Sequence, residues 1–149
     1  MRNVASSMTT SHRITPELRE WLLRKLRFPV MATIGKDGMP KLSVIWFDLH
    51  PERDDLVLLN TLAGRIKDKH LRRDPRVSLT VFNGSEWYSH LSVQGRVVEL
   101  REDPDLSGID RIATHYTGRP FRNREAARVN AWIEIASWHA WELDPPSAD

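Results

Sequence analysis

Cysteine is absent from this 149-residue chain. Disulfides, thiolate metal sites and cysteine nucleophiles are therefore excluded. No run approaches the roughly 18 to 20 consecutive apolar residues that span a bilayer. The opening residues, M-R-N-V-A-S-S-M-T-T-S-H, also lack the apolar core of a signal peptide. The expectation is a soluble cytoplasmic protein with no membrane partner. Charge of one sign is lacking as well: 22 Lys and Arg stand against 20 Asp and Glu, a formal net charge of +2, which is not a nucleic-acid-binding composition. No two histidines have the i, i+4 spacing of a helical zinc site, so no metal is expected. G-x-G-x-x-G is missing, as is the G-x-S-x-G elbow of a hydrolase.

What is present suits one mainly β domain. The length fits a single domain able to bury most of its apolar surface. Residues 1–12 read as a disordered leader, 13–144 as the domain and 145–149 as a tail. Thr15-Pro16-Glu17-Leu18 is a helix start, with Thr15 as N-cap and Pro16 at the first helical position. Leu18, Trp21, Leu22 and Leu26 follow at helical spacing, and Phe28-Pro29 ends the helix. Strands are predicted over 30–35 and 40–49, joined as a hairpin by Lys36-Asp37-Gly38. Others follow over 56–60, 76–82, 88–100 and 131–143, and Gly95 marks a bulge or a close backbone approach. A further helix is read over 103–116, capped by Gly118. Six strands with short connections and few helices predict an antiparallel barrel, since closure removes sheet edges. Six tryptophans are many for this length. In the last strand, Trp138 and Trp141 are expected on one face with His139 on the other.

The stretch N-T-L-A-G-R-I-K-D-K-H-L-R-R-D-P-R-V-S-L, residues 60–79, carries the chemistry. An apolar strand ends at Asn60-Thr61 and a short helix is expected to start at once, stopped by Asp74-Pro75. Helix starts present unpaired N–H groups and the positive end of the macrodipole, so Thr61, Arg65 and Lys67 there form a handle for a phosphate or carboxylate. Cations early in a helix oppose its dipole, which suits a bound anion better than an ordinary solvated face. Arg72 and Arg73, in the last turn, are explained by the dipole alone. A phosphorylated cofactor is the natural occupant.

The order of A-T-I-G-K-D-G-M-P-K-L-S-V-I-W-F, L-V-L-L-N-T-L-A-G-R-I-K-D-K-H-L-R-R-D-P-R-V-S-L and L-S-V-Q-G-R-V-V-E-L resembles the pyridoxamine 5′-phosphate oxidase-like split β-barrel flavoproteins. R-I-K-x-K-x-L-R-R-D-P-R-V is similar to the branch that uses the deazaflavin F420 in place of FMN. The resemblance implies an FMN-binding-like six-stranded split barrel with flanking helices. It also implies a homodimer with the cofactor at the subunit interface. Carried over by position, it makes Arg65 and Lys67 the phosphate-binding pair around Ile66, and Asn60 and Thr61 the strand-end contacts. Leu42, Ser43, Val44, Ile45 and Trp46 match the strand along the cofactor ring. Tyr88 and His90 match polar contacts on a later strand and are the candidates for proton donor. Lys69, Arg72 and Arg73 are available to the cofactor's glutamate tail. The implied activity is hydride transfer from reduced F420 to a flat conjugated acceptor. An FMN-dependent oxidase or flavin reductase, and a non-enzymatic module binding F420 or haem, are the alternatives.

Overall fold

The computed structural model describes residues 13–84 and 86–143. The expected leader and tail lie outside these residues. Helix α1 spans Pro16–Leu23, with the Thr15 hydroxyl accepting the Leu18 N–H at 3.2 Å. It stops short of Leu26. The Trp21 carbonyl, which a longer helix would bond to its own backbone, instead accepts Nε and Nη2 of buried Arg27 at 3.2 and 2.9 Å. The Arg27 guanidinium lies 3.8 Å over the Trp21 ring.

Seven strands follow: β1 (Val30–Ile34), β2 (Pro40–Val44), β3 (Asp48–Leu49), β4 (Leu56–Leu62), β5 (Arg76–Asn83), β6 (Glu86–Glu102) and β7 (Arg128–Trp141). Helix α2 (Ile66–Arg73) lies between β4 and β5, and α3 (Ser107–Thr117) between β6 and β7. All pairings are antiparallel, in the order β2-β1-β5-β6-β7-β4-β3. The expectation of six strands and a closed barrel needs correction on both points. The predicted strand 40–49 is two strands, and they lie at opposite ends of one open sheet. Residues Ile45, Trp46 and Phe47 carry the chain from one sheet edge to the other. The Ile45 N–H donates to the Pro29 carbonyl at 3.0 Å and the Phe47 N–H to the Tyr116 hydroxyl at 3.4 Å. Trp46 thus sits outside both ladders.

The long strands β6 and β7 bend the sheet around one core. Strand β6 shifts register between Gln94 and Gly95 and again between Val97 and Glu99, as expected of a bulge at Gly95. The core gathers Leu18 and Trp21 of α1, Leu71 of α2, Ile112 and Tyr116 of α3, and alternate residues of β5 and β7. In β7, Trp138 and Ala140 face inward, whereas His139 and Trp141 share the other face with rings 5.7 Å apart. This corrects the expected pairing of Trp138 with Trp141. Residues three apart on a strand point to opposite faces.

At Gly95 a methyl group would lie 2.4 Å from the Glu134 carbonyl oxygen and 2.9 Å from Ile133 Cγ2. The obstacle is the backbone of the adjoining strand, which cannot move alone. Gly95→Ala is expected to cost about 1 to 3 kcal/mol, the range for overpacking. At about 2 to 4 °C per kcal/mol for a chain of this size, thermal melting should fall by several degrees. An unchanged melting temperature would show that β7 yields at this point.

Candidate functional site

Strand β4 does not end at Thr61. Its ladder with β7 continues through Leu62, opposite Arg128, and the Ala63 N–H adds a bond to the Ala127 carbonyl at 2.9 Å. Gly64 then turns the chain at φ +73°, a conformation that suits glycine, and α2 begins at Ile66 with Arg65 as N-cap. The expected helix start at Thr61 is corrected accordingly. Buried Asp68, at the third helical position, accepts the Gly64 N–H and the Arg72 Nε–H, both at 2.8 Å. Its reach back to Gly64 fastens the turn in the manner of a capping box. Arg72 is thereby paired within the helix.

Below this turn lies a cavity of about 290 Å³ where Val44, Ile45, Trp46, Asn60 and Lys67 meet Ile109, Ile112, Phe121 and Arg128. Five of the residues singled out from sequence are brought together here. Leu42 and Ser43 lie farther along β2, where Leu42 is 71% exposed. Arg65 and Ile66 are exposed at the helix start and Thr61 is buried; none of the three lines the cavity. Tyr88 and His90 sit toward the start of β6, where His90 pairs with Trp141 and the Tyr88 ring lies 5.9 Å from the Trp141 ring. His90 Nδ1 donates to the Tyr88 carbonyl at 2.9 Å. Within one chain they stand apart from the Lys67 cavity.

Arg128 escaped the sequence reading, which began the last strand at Ala131. It occupies the first position of β7, and its Nε–H donates to Asn60 Oδ1. The Asn60 amide is oriented by donating Nδ2 hydrogens to Asp103 Oδ2 at 3.0 Å and to Asn130 Oδ1 at 2.8 Å. Asp103 also accepts the Gly108 and Ile109 N–H groups, at 3.0 and 2.9 Å, where α3 starts. A continuous polar chain therefore runs from the α3 terminus through Asp103 and Asn60 to Arg128. The guanidinium carbon lies 4.7 Å over the Phe121 ring, a cation–π contact. No local signal marks it: only the antiparallel pairing of β4 with β7 brings the first residues of β7 beside Asn60-Thr61-Leu62.

The electrostatics suit an anion. Burial, and then the charge of Arg128, hold the Lys67 ammonium below its ordinary value of 10.5. Burial likewise lowers Arg128, against the opposing field of Asp103. Among the described residues no carboxylate forms an ion pair with either cation. Two partly buried like charges are unfavourable unless a shared anion neutralises them.

Trp46 and Phe121 also line a second cavity of about 920 Å³, with Ala113, Thr117, Arg119, Pro120, Arg122 and Asn123. The Trp46 ring is stacked on Tyr116, with centroids 4.9 Å apart and planes 5° from parallel. The Tyr116 hydroxyl donates to the Arg27 carbonyl and accepts the Phe47 N–H; burial pushes its pKa up to about 12. It is a fixed buttress for Trp46.

The family described as Pyridoxamine 5′-phosphate oxidase matches residues 14–142. The chain belongs to the pyridoxamine 5′-phosphate oxidase-like family. Solved structures agree on the fold of this family member. A protein named F420 reductase is 23% identical with a TM-score of 0.71, over 83% of this chain and 98% of that one. A conserved hypothetical protein from Mycobacterium tuberculosis is 25% identical with a TM-score of 0.68, over 93% of this chain and 95% of its own. General Stress Protein 26 from Bacillus anthracis is 17% identical with a TM-score of 0.63, over 86% of this chain and 96% of its own. The family places the chain among flavin-type cofactor binders that include oxidoreductases. No helix of the described residues is long and apolar enough to cross a membrane.

Proposed function

We propose that this chain is an oxidoreductase that holds coenzyme F420 by its phosphate at Lys67 and Arg128 and serves a flat conjugated acceptor. The observation that carries the reading is the pair of partly buried cations in one cavity, neither of them in an ion pair with a carboxylate among the described residues. The similar protein named F420 reductase supports the choice of deazaflavin. The residues present fit such a group: Lys67 and Arg128 would hold the phosphate, with Asn60 fixing the guanidinium. When bound, a deazaflavin supplies a hydride carrier. Val44, Ile45, Ile109 and Ile112 exclude water beside the anion site, and Trp46, backed by Tyr116, offers a flat face. Neither Tyr88 nor His90 of the same chain lines this cavity, so a proton reaches the product from water or from the second subunit.

The active form in this proposal is a homodimer, with the site completed by the second subunit. Leu42 and Val44 on the edge strand β2 are 71% and 66% exposed, and Trp87 on β6 is 74% exposed. Apolar side chains so exposed, two of them on a sheet edge, suit a partner surface. A second reading keeps the groove and exchanges F420 for FMN, because the same phosphate chemistry serves both.

Titration of the purified protein with F420 and, separately, FMN, followed by fluorescence, tests the reading. Tight F420 and weak FMN binding is expected, with oxidation of reduced F420 on adding a quinone. The reverse preference moves the protein to the flavin branch, and binding without turnover across an acceptor panel makes it a carrier. Binding of neither overturns the assignment of the groove.

Proton linkage supplies an independent check. Burial and Arg128 favour neutral Lys67, whereas a bound phosphate favours the ammonium. Binding should therefore take up protons on the alkaline side, below 10.5, and affinity should fall as pH rises through that window. The sign for folding is opposite: the unfolded lysine binds more protons, so relief of this buried charge raises stability with pH. Calorimetry in two buffers of different ionisation heat reads the uptake, which should vanish in Lys67→Ala.

A further inference from the structure

We propose that the larger cavity beside Trp46 is the acceptor's compartment and that Arg119 and Arg122 select acceptors bearing a carboxylate on the flat body. This rests on the function proposed above and names the substrate class of the same groove. At about 920 Å³ the cavity lies within the roughly 300 to 1,000 Å³ of small-molecule sites. Among the described residues its lining joins apolar Trp46, Ala113 and Phe121 to Arg119 and Arg122 and contains no carboxylate.

The nearby acid is already committed. Asp110 on α3 takes Arg124 through both oxygens, Nη1 to Oδ1 at 2.5 Å and Nη2 to Oδ2 at 3.1 Å, and accepts the Phe121 N–H at 3.0 Å. Arg124 is thereby neutralised, while Arg119 and Arg122 have no ion pair among the described residues.

The loop that carries these two arginines is held at several points. Thr117 Oγ1 accepts the Arg119 N–H at 3.2 Å, and Asn123 Oδ1 accepts the Glu125 and Ala126 N–H groups at 3.0 and 3.1 Å. Arg128 covers Phe121 in the middle. A loop fastened to α3 through Asp110 thus brings Arg119 and Arg122 into the lining of the cavity that Trp46 and Phe121 share. Guanidinium pairs with carboxylate in a planar, two-point geometry, so one flat molecule can stack on Trp46 and reach an arginine through its acid group. The glutamate tail of F420 carries the same chemistry, and the test separates the two sources.

The probes are naphthalene-2-carboxylate and naphthalene-2-carboxamide, which share a flat body and differ in charge. They are titrated into the full-length protein, with and without F420, following tryptophan fluorescence. The carboxylate should bind about two- to thirtyfold more tightly, the reach of two exposed charge pairs, and high salt should erase the difference. In R119A/R122A the carboxylate should fall to the level of the carboxamide, whose own affinity stays unchanged; R119K/R122K should restore part of the gap. Equal affinities in the wild type, or a preference that survives in R119A/R122A, overturn the proposal. Loss of affinity in R119A/R122A for F420 but not for F420 stripped of its glutamates assigns the arginines to the tail and also overturns it. If F420 fails to bind wild-type protein, the proposed function fails, while the probe pair still decides whether the cavity selects acids.

Discussion

Asp103→Ala is expected to remove about 3 to 5 kcal/mol of stability, the loss of a helix cap together with buried donors left without an acceptor. Asp103 is 2% exposed and accepts three hydrogen bonds, from the Gly108 N–H, the Ile109 N–H and the Asn60 side chain. Alanine cannot accept any of them, and little water reaches the vacated position. Asn130 Oδ1, the polar atom beside Gly108, where an added methyl would lie 2.0 Å from it, already accepts the Asn60 amide at 2.8 Å. Asp103→Asn retains one acceptor oxygen but turns an amino group toward donors, so it should recover less than half of the loss. Urea unfolding midpoints at constant m-value measure both. A loss below about 1 kcal/mol for the alanine variant would mean that solvent replaces the carboxylate, against the burial on which the argument rests.

Where local chemistry decides, the chain was legible. Asp37-Gly38 reads as a hairpin turn, and Gly38 has φ +80° with Asp37 Oδ1 accepting the Met39 N–H at 3.1 Å. Gly118 ends α3 in the left-handed conformation, and Gly95 marks a register shift. Long-range geometry was not legible. Val44-Ile45-Trp46-Phe47 has the composition of an unbroken strand. Its interruption comes from the Pro29 carbonyl and the Tyr116 hydroxyl, which draw two of its N–H groups away from the ladder. Helix α3 was expected from Asp103; its regular turns start at Ser107, because Asp103 caps from outside through Gly108 and Ile109.

The site divides the same way. Asn60 and Lys67 stand out locally, one at a strand end and one in a first helical turn. Arg128 belongs to the site only because β4 and β7 pair in the register that sets Leu62 opposite it. Without that pairing it is one more arginine after an arginine-rich loop. Arg65 and Lys67 looked equivalent on spacing, yet a helix start delayed to Ile66 leaves Arg65 as an exposed cap and turns only Lys67 inward.

Removing Lys67 or Arg128 should each weaken cofactor binding by about 1.5 to 3 kcal/mol, the range for hydrogen bonds to charged groups. The double variant should lose more than the sum. In the wild type each cation weakens the other, since Arg128 disfavours the Lys67 ammonium. Once Arg128 is gone, Lys67 is more fully charged and carries the anion alone, so its removal costs more in that background. The folded apo protein should respond differently from the complex. Lys67→Ala relieves a repulsion and should leave thermal melting unchanged or raised. Arg128→Ala also forfeits the contact over Phe121 and the bond to Asn60, and should melt modestly lower. Titration of the four proteins with F420, repeated with FMN, completes the cycle whichever cofactor binds more tightly, because both carry the phosphate. Wild-type affinity in Lys67→Ala would remove the phosphate from this groove. Strict additivity would keep the phosphate there and show that the two cations act on it without sensing each other.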